Sequence, residues 1–115
     1  MLRKFDKIVS EAGIKPTDIV VLYDKSDCLD AAYVFWFFEY LNHKDVRVLN
    51  GGFEKWINIK GPIEKIISKH QVVEYKATVR DELKYTSELL LANINSKDLK
   101  IIDVRSRSEY LGETR

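Results

Sequence analysis

The sequence has little of several things that would point to a particular class of protein. It contains one cysteine and two prolines in 115 residues, and its 19 basic residues nearly balance its 18 acidic ones. One cysteine cannot form an internal disulfide, which fits a reducing compartment. A formal charge of +1 creates no broad field that would attract nucleic acid or an anionic membrane. We therefore expect neither of these partners.

Long apolar runs and targeting signals are also missing. The longest apolar run, residues 31–38, is far too short to span a bilayer, and residues 1–6 lack the apolar core of a secretion signal. We therefore expect a cytoplasmic protein. Two isolated histidines, His43 and His70, stand far from the cysteine and from each other, which gives no metal signature. Neither a metal nor another cofactor is expected.

The residues that are present predict a small α/β domain. An apolar content of 45% is enough for one small domain with a core. Amphipathic spacing over residues 2–12, closed by Gly13, predicts a first helix. Apolar runs at residues 18–23, 46–49 and 100–104 are typical of buried parallel strands. The alternation of strands and helices predicts a small parallel sheet flanked by helices.

The segment between the first two strands predicts a strongly apolar helix. Ser26 or Asp27 can cap its first turn, and the helix runs to about residue 41. Because its apolar residues occupy all faces, we expect it to be buried between the sheet and another layer. Trp36 is accordingly expected in the core, since aromatic side chains dominate core area where helices pack on sheets.

Two further helices are predicted along the chain. Asn50, Gly51 and Gly52 allow a tight turn from the second strand into a helix over residues 53–60. This turn lacks the lysine of a P-loop and the spacing of a dinucleotide motif, so we interpret it as a turn and not as a phosphate site. Thr86 or Ser87 caps a fourth helix, and residues 63–85 before it show only weak periodicity.

Four strings stand out in order along the chain: DKSDCLD at 24–30, NHKDVRVLNGGFEKW at 42–56, GP at 61–62 and IIDVRSRSEYLGE at 101–113. Together they resemble the rhodanese (thiosulfate sulfurtransferase) family, specifically its two-domain members, over roughly residues 13–62 and 75–113. The resemblance implies the end of a non-catalytic rhodanese-like domain at residues 1–62, an interdomain linker at 63–85 and the start of a second domain at 86–115, truncated before its catalytic loop.

The resemblance places the sulfur-carrying cysteine of the family at position 24, where this chain has Asp24. A carboxylate cannot form the persulfide that this chemistry needs. Cys28 could be a displaced nucleophile helped by a helix terminus, but Asp24, Asp27 and Asp30 would raise its pKa and repel an anionic donor, and Lys25 does not offset them. We interpret Cys28 as an unreactive cysteine at the start of a helix.

Other candidate residues carry no chemistry by themselves. Asp103 and Arg105 resemble residues that brace the active-site region in the family, and Glu109 stands where some members have a substrate-binding arginine. His43 is expected in a solvent-facing turn and not as a catalytic base, because no nucleophile is near it in sequence. We therefore predict no catalytic, cofactor-binding or metal-binding residue in this chain.

Two functions follow from these observations. The chain resembles a thiosulfate or 3-mercaptopyruvate sulfurtransferase but is expected to be inactive alone, with a small anionic sulfur donor only when a complementing sulfurtransferase fragment is present. The alternative is a non-enzymatic rhodanese-like binding module or a degenerate remnant. Residues 100–104 are expected to fold back beside residues 18–23 and pair with their open edge; if they do not, a homodimer with exchanged strands is the better account.

Overall fold

The computed structural model describes residues 2–114. The chain divides into two compact units, Met1–Lys84 and Tyr85–Arg115. No helix in the described part of the chain is both long enough and apolar enough to cross a membrane. The elements are α1 (Leu2–Glu11), β1 (Ile19–Leu22), α2 (Leu29–Tyr40), β2 (Asp45–Val48), α3 (Gly52–Asn58), a 3-10 turn (Asp81–Leu83), α4 (Ser87–Asn93) and α5 (Arg107–Tyr110).

The first unit is built on a two-stranded parallel sheet. β1 and β2 pair in register, with Ile19 beside Asp45 and Leu22 beside Val48. Because parallel strands need a crossover connection, α2 links the two and packs on both. The predicted α/β class with a small parallel sheet and flanking helices is confirmed, with each strand displaced by at most about one residue from its expected bounds.

Helix α1 ends as its sequence predicts. Gly13 adopts a left-handed backbone with φ of 74°, and its amide donates to the carbonyl of Ser10. A Cβ built at this position would lie 2.7 Å from the Cβ of His70, so the site excludes side chains as well as favouring positive φ. Val9, on the inward side of α1, is buried in the core.

Helix α2 buries only one of its faces. Ala31, Phe38 and Leu41 are buried, whereas Trp36 is 38% exposed and stacks on Tyr40 with ring centroids 5.4 Å apart. The expectation of a helix enclosed on all sides with Trp36 in the core is wrong, since apolar composition alone does not show that a second layer covers the outer face. The helix ends where Asn42 turns left-handed at φ of 57°.

The core joins the sheet to a segment that lacks regular structure. Val9, Val20, Phe38 and Tyr75 form its buried cluster. His43 is 5% exposed, with Nδ1 2.9 Å from the Tyr75 hydroxyl and Nε2 2.9 Å from the carbonyl oxygen of Asp18. The prediction of a solvent-facing His43 is therefore wrong: the ring turns inward because both of its nitrogens have buried partners.

The residues after α3 run back along α1. Two amides anchor them there: Val73 donates to the carbonyl of Ser10, and Tyr75 donates to the Ser10 hydroxyl. Arg80 continues the attachment, because its amide donates to the carbonyl of Tyr40 at 2.8 Å. Val73 is half-buried and Tyr75 is buried, whereas the neighbouring Val72 is exposed.

The second unit contains two short helices. Thr86 caps α4 by accepting a hydrogen bond from the Leu89 amide, as predicted. Helix α5 was not expected from sequence; Ser106 and Glu109 form a capping box at its start, which is a recognisable signal. Residues 100–104 form no strand, so the predicted third strand and its pairing with β1 are wrong. Val104 is 92% exposed.

The buried contact between Tyr75 and His43 generates a stability prediction. Tyr75→Phe removes the hydroxyl and leaves a buried ring nitrogen without a partner, so we expect a loss of about 1–3 kcal/mol in the free energy of unfolding. Urea denaturation followed by circular dichroism measures it. Tyr33→Phe is the matched control, because Tyr33 is exposed and should change stability by less than about 0.5 kcal/mol. Equal stabilities for the two variants would contradict the assigned role of the pair.

Candidate functional site

The candidate site is the loop of residues 24–28, between the end of β1 and the start of α2. Parallel α/β proteins place ligands and reactive groups at this end of their strands. Two backbone hydrogen bonds fix the loop to α3, from the Phe53 amide to the carbonyl of Asp24 and from the Glu54 amide to the carbonyl of Lys25, both 2.9 Å long. The loop is therefore held between the two helices that follow the strands.

The side chain of Asp24 points into the start of α2. Its Oδ1 accepts a hydrogen bond from the Cys28 amide at 3.0 Å, and its Oδ2 accepts one from the Ala31 amide at 3.3 Å. These amides lack acceptors within the helix, and a carboxylate satisfies them while interacting favourably with the positive end of the helix dipole. Asp24 is thus a capping anion supplied from outside the helix.

The predicted caps for α2 are only partly correct. Asp27 does accept a hydrogen bond from the Leu29 amide at 3.3 Å, but Ser26 makes no capping bond in the described structure. The residue that immediately precedes the helix is Cys28, with no side-chain cap of its own. Sequence reasoning missed the capping role of Asp24 because the contact spans four and seven residues, outside the usual capping spacing.

Cys28 occupies a strained and partly enclosed position. Its backbone is left-handed, with φ of 60°, which is uncommon for a residue that carries a Cβ. The thiol lies 3.6 Å from the carbonyl oxygen of Leu49 and donates to it, and the residue is half-buried. The structure therefore brings Cys28 and Asp24 together in one loop, with the sulfur directed towards the end of β2.

A glycine allows the loop and α3 to approach this closely. A Cβ on Gly52 would lie 2.7 Å from the carbonyl oxygen of Asp24 and 3.0 Å from that of Lys25, and the backbone has φ of 57°. Any other residue would push the loop away from α3, because both carbonyls belong to the backbone and cannot yield as a side chain can. The turn at residues 50–52 therefore also allows the loop to pack closely against α3.

The charges around the loop are largely acidic. Asp27 and Asp30 are exposed beside Asp24, and Lys25, the one basic residue of the loop, lies 3.9 Å from Glu54 in an exposed ion pair. No group of histidine, cysteine or acidic side chains in residues 2–114 could hold a metal ion. An anionic ligand would therefore meet carboxylates at this loop, whose one basic residue is already paired with Glu54.

An apolar groove lies beside the loop, and sequence reasoning did not find it. It has a volume of about 680 Å³. Tyr23 and Phe53 stack across part of it, with centroids 6.2 Å apart. Its lining comes from separate elements, which is why no single sequence motif marks it: Val21, Tyr23, Leu49, Phe53, Trp56, Pro62, Ile63, Glu64 and Lys65.

The remaining candidate residues, Asp103, Arg105 and Glu109, are in the second unit and form bonds with residues close to them in sequence. Arg105 donates to both carboxylate oxygens of Asp103, and these bonds lower the pKa of Asp103 to about 2. Its guanidinium also lies over the Tyr110 ring, 5.6 Å from the centroid. Glu109 accepts from the Ser106 side chain and amide, which lowers the pKa of Glu109. These groups stabilise their own turn and the start of α5.

Comparison with known proteins gives a consistent result. Residues 1–59 match the rhodanese-like domain family. The chain is 39% identical over 114 residues to the sulfur carrier protein TtuD of Thermus thermophilus, covering 96% of this chain and 40% of TtuD. It is 36% identical over 110 residues to thiosulfate sulfurtransferase of Rattus norvegicus, covering 94% of this chain and 37% of that enzyme.

A solved structure shares the fold. The chain aligns with SseA of Escherichia coli, a 3-mercaptopyruvate sulfotransferase with the rhodanese fold, at a TM-score of 0.85 and 20% identity. The alignment covers 96% of this chain and 42% of SseA. The chain thus spans about two fifths of the length of the relatives that it matches.

The capping bonds of Asp24 generate a prediction for the loop. Asp24→Ala leaves two amides at the start of α2 without acceptors, so we expect a loss of about 1–2 kcal/mol in the free energy of unfolding. Thermal and urea denaturation measure it. The matched control is Asp30→Ala, since Asp30 is exposed in the first turn of α2 and makes no capping bond in the described structure; its expected loss is below about 0.5 kcal/mol. A smaller loss for Asp24→Ala than for Asp30→Ala would sink the capping assignment.

Proposed function

Because this chain belongs to the rhodanese-like domain family, we propose that it supplies part of the scaffold of a thiosulfate or 3-mercaptopyruvate sulfurtransferase and is catalytically silent by itself. The observation that carries the proposal is the Asp24 carboxylate bonded to the Cys28 and Ala31 amides. The capping amides already hold an anion that belongs to the protein. A sulfane sulfur would need a thiolate in that position.

Sulfur transfer needs a thiolate nucleophile, which position 24 does not supply. A thiolate attacks the outer sulfur of thiosulfate, the S–S bond breaks, and sulfite leaves with the bonding electrons. Cyanide then takes the outer sulfur from the persulfide and returns the thiolate. A carboxylate at position 24 cannot form the persulfide. Cys28, the single thiol, is half-buried and donates to the Leu49 carbonyl, where a persulfide would have to displace an existing contact.

The proposal assigns the reacting cysteine to sequence outside these 115 residues or to a complementing sulfurtransferase polypeptide. It is supported by the relatives, which are named as sulfur carrier and sulfurtransferase proteins and are longer than this chain. A small anionic donor would bind only in the complemented protein, since the loop described above presents carboxylates to solvent. The single cysteine and the absence of an internal disulfide support a cytoplasmic location.

An activity assay tests the silent state. We expect the 115-residue chain to form no thiocyanate from thiosulfate and cyanide above the buffer blank, and Cys28→Ser to behave identically. A longer relative such as thiosulfate sulfurtransferase serves as the positive control in the same assay. Turnover by this chain that disappears in Cys28→Ser would overturn the proposal. Turnover that persists in Cys28→Ser would also overturn the proposal, since the chain would then be active although it contains no thiol.

A reactivity measurement tests whether the loop itself favours an anion. In a Cys28→Ser background, Asp24→Cys places a thiol where two amides now face the carboxylate. We expect its alkylation by iodoacetamide at pH 7 to be about tenfold faster or more than that of Asp27→Cys in the same background, because amides and the helix dipole stabilise a thiolate. Asp27 is the matched position, as it accepts from one amide and is exposed. Equal rates would show that the amides do not create an anion site.

A further inference from the structure

We propose that Asn50 is a site of self-modification: the amide nitrogen of Gly51 displaces ammonia from its side chain, and the isoaspartate that results weakens the contact between the loop of residues 24–28 and α3. The inference goes beyond the proposed function, because the reaction consumes only water and needs no thiol. Its test reads peptide masses and hydrogen exchange, so it can fail while the proposed function stands, and the reverse also holds.

Asn50 is the one asparagine in the sequence that is followed by glycine. Each of the others is followed by a larger residue: Asn42, Asn58, Asn93 and Asn95. Asparagine is chemically labile in proteins, because the backbone nitrogen of the next residue can attack its side-chain amide. Glycine has no Cβ, so this nitrogen is least hindered at Gly51. The sequence therefore favours Asn50 as the reacting residue.

The structure distinguishes Asn50 from three of these asparagines by the state of the amide that follows. The amide of Gly51 donates to no acceptor in the described part of the chain. The amides that follow Asn42, Asn58 and Asn95 donate to backbone carbonyls, at 3.0, 3.1 and 2.8 Å respectively. A bonded amide has to lose its acceptor before its nitrogen can attack, and that loss costs free energy. The Gly51 nitrogen has no such bond to lose.

The Asn50 side chain is exposed and forms no hydrogen bond in residues 2–114, so it can rotate towards the Gly51 nitrogen. Within the described residues, one hydrogen bond closes the turn around it, from the Gly52 amide to the Leu49 carbonyl at 3.0 Å. Ring closure also requires the Asn50 carbonyl to rotate, and this bond must open to allow the rotation. Surface turns open at a lower free energy than buried elements do, so the reaction is accessible to the folded chain.

The reaction has two steps. In the first, the Gly51 nitrogen bonds to Cγ of Asn50, the Cγ–Nδ2 bond breaks, and ammonia leaves with the proton of the Gly51 amide. The product is a cyclic succinimide. In the second, water hydrolyses the ring: cleavage at Cγ gives aspartate, and cleavage at the main-chain carbonyl carbon gives isoaspartate. Neither step needs an oxidant, a reductant or a metal.

Isoaspartate lengthens the turn that supports the loop. Its main chain passes through Cβ and Cγ, so one extra carbon enters the backbone at position 50. Before this position, the Leu49 carbonyl accepts a hydrogen bond from the Cys28 thiol at 3.6 Å. After it, Gly52 lies so close to the loop that a Cβ there would be 2.7 Å from the carbonyl oxygen of Asp24. A longer turn cannot keep both contacts in place, so α3 moves relative to the loop.

Peptide mapping of the ageing chain tests the reaction. The 115-residue protein is incubated at neutral pH and digested with trypsin at intervals, which releases Asn50 in residues 48–55 and Asn95 in residues 85–97. We expect Asn50 to lose its side-chain amide, with a mass gain of about 1 Da, at a rate about tenfold or more above that of Asn95. Asn95 is the matched control, because it is exposed and followed by a small residue whose amide is bonded. Equal rates at the two residues, or aspartate without isoaspartate at position 50, would overturn the proposal.

Hydrogen exchange tests the effect on the loop. The amides of Phe53 and Glu54 donate to the carbonyls of Asp24 and Lys25 at 2.9 Å, and in the isoaspartate form we expect them to exchange about tenfold or more faster than in fresh protein. Two variants serve as controls. Aged Asn50→Gln should exchange like fresh protein, because its longer side chain closes a ring more slowly. Fresh Asn50→Asp should also do so, because it adds the charge without lengthening the main chain.

Three outcomes of the exchange experiment would contradict the proposal. Unchanged exchange at Phe53 and Glu54 in the isoaspartate form would mean that the turn does not support the loop. Faster exchange in aged Asn50→Gln would place the modification elsewhere in the chain. Faster exchange in fresh Asn50→Asp would assign the effect to the added charge and not to the longer main chain.

Discussion

The carboxylate of Asp24 is the contact on which the candidate site depends. Asp24 follows β1 by two residues, its carboxylate caps α2 through two amides, and its backbone carbonyl accepts a hydrogen bond from the Phe53 amide in the first turn of α3. One residue thus fixes the relative positions of a strand and two helices. The amides at the start of α2 could bind an anion, but these bonds already give them the Asp24 carboxylate. The contact that stabilises the loop therefore also occupies the groups that would bind a ligand.

The opposite end of β1 is held by a different kind of contact. His43 links the carbonyl of Asp18 to the Tyr75 hydroxyl, and Tyr75 belongs to a segment without regular structure. The strand is therefore anchored at both ends, although β2 is the one strand that pairs with it within residues 2–114. This explains how a two-stranded sheet, which alone buries little surface, can organise a core of Val9, Val20, Phe38 and Tyr75.

The sequence predicted local structure more completely than burial. α1, β1, α2, β2, α3 and α4 follow from periodicity, caps and glycine positions, which act over a few residues. The exposure of Trp36 and the burial of His43 could not be predicted, because they depend on which distant segments pack there. Residues 100–104 have the composition of a strand but pair with no strand in the described part of the chain, and pairing is what makes a strand. In the loop, the sequence alone showed that Asp24 cannot form a persulfide. Its capping bonds and the apolar groove could not be predicted, because they arise from contacts between separate elements.

Helix α2 is bounded at both ends by left-handed residues, Cys28 and Asn42. Neither end of the helix can be extended by another turn, so the number of residues between Cys28 and Asn42 is fixed. This number determines where β2 is placed beside β1. Adding or removing one residue of α2 before Phe38 would rotate the rest of the helix by about 100° around its axis. This rotation would turn Phe38 out of the core. Changes of side chain on the outer face are compatible with this architecture, whereas changes of length are not.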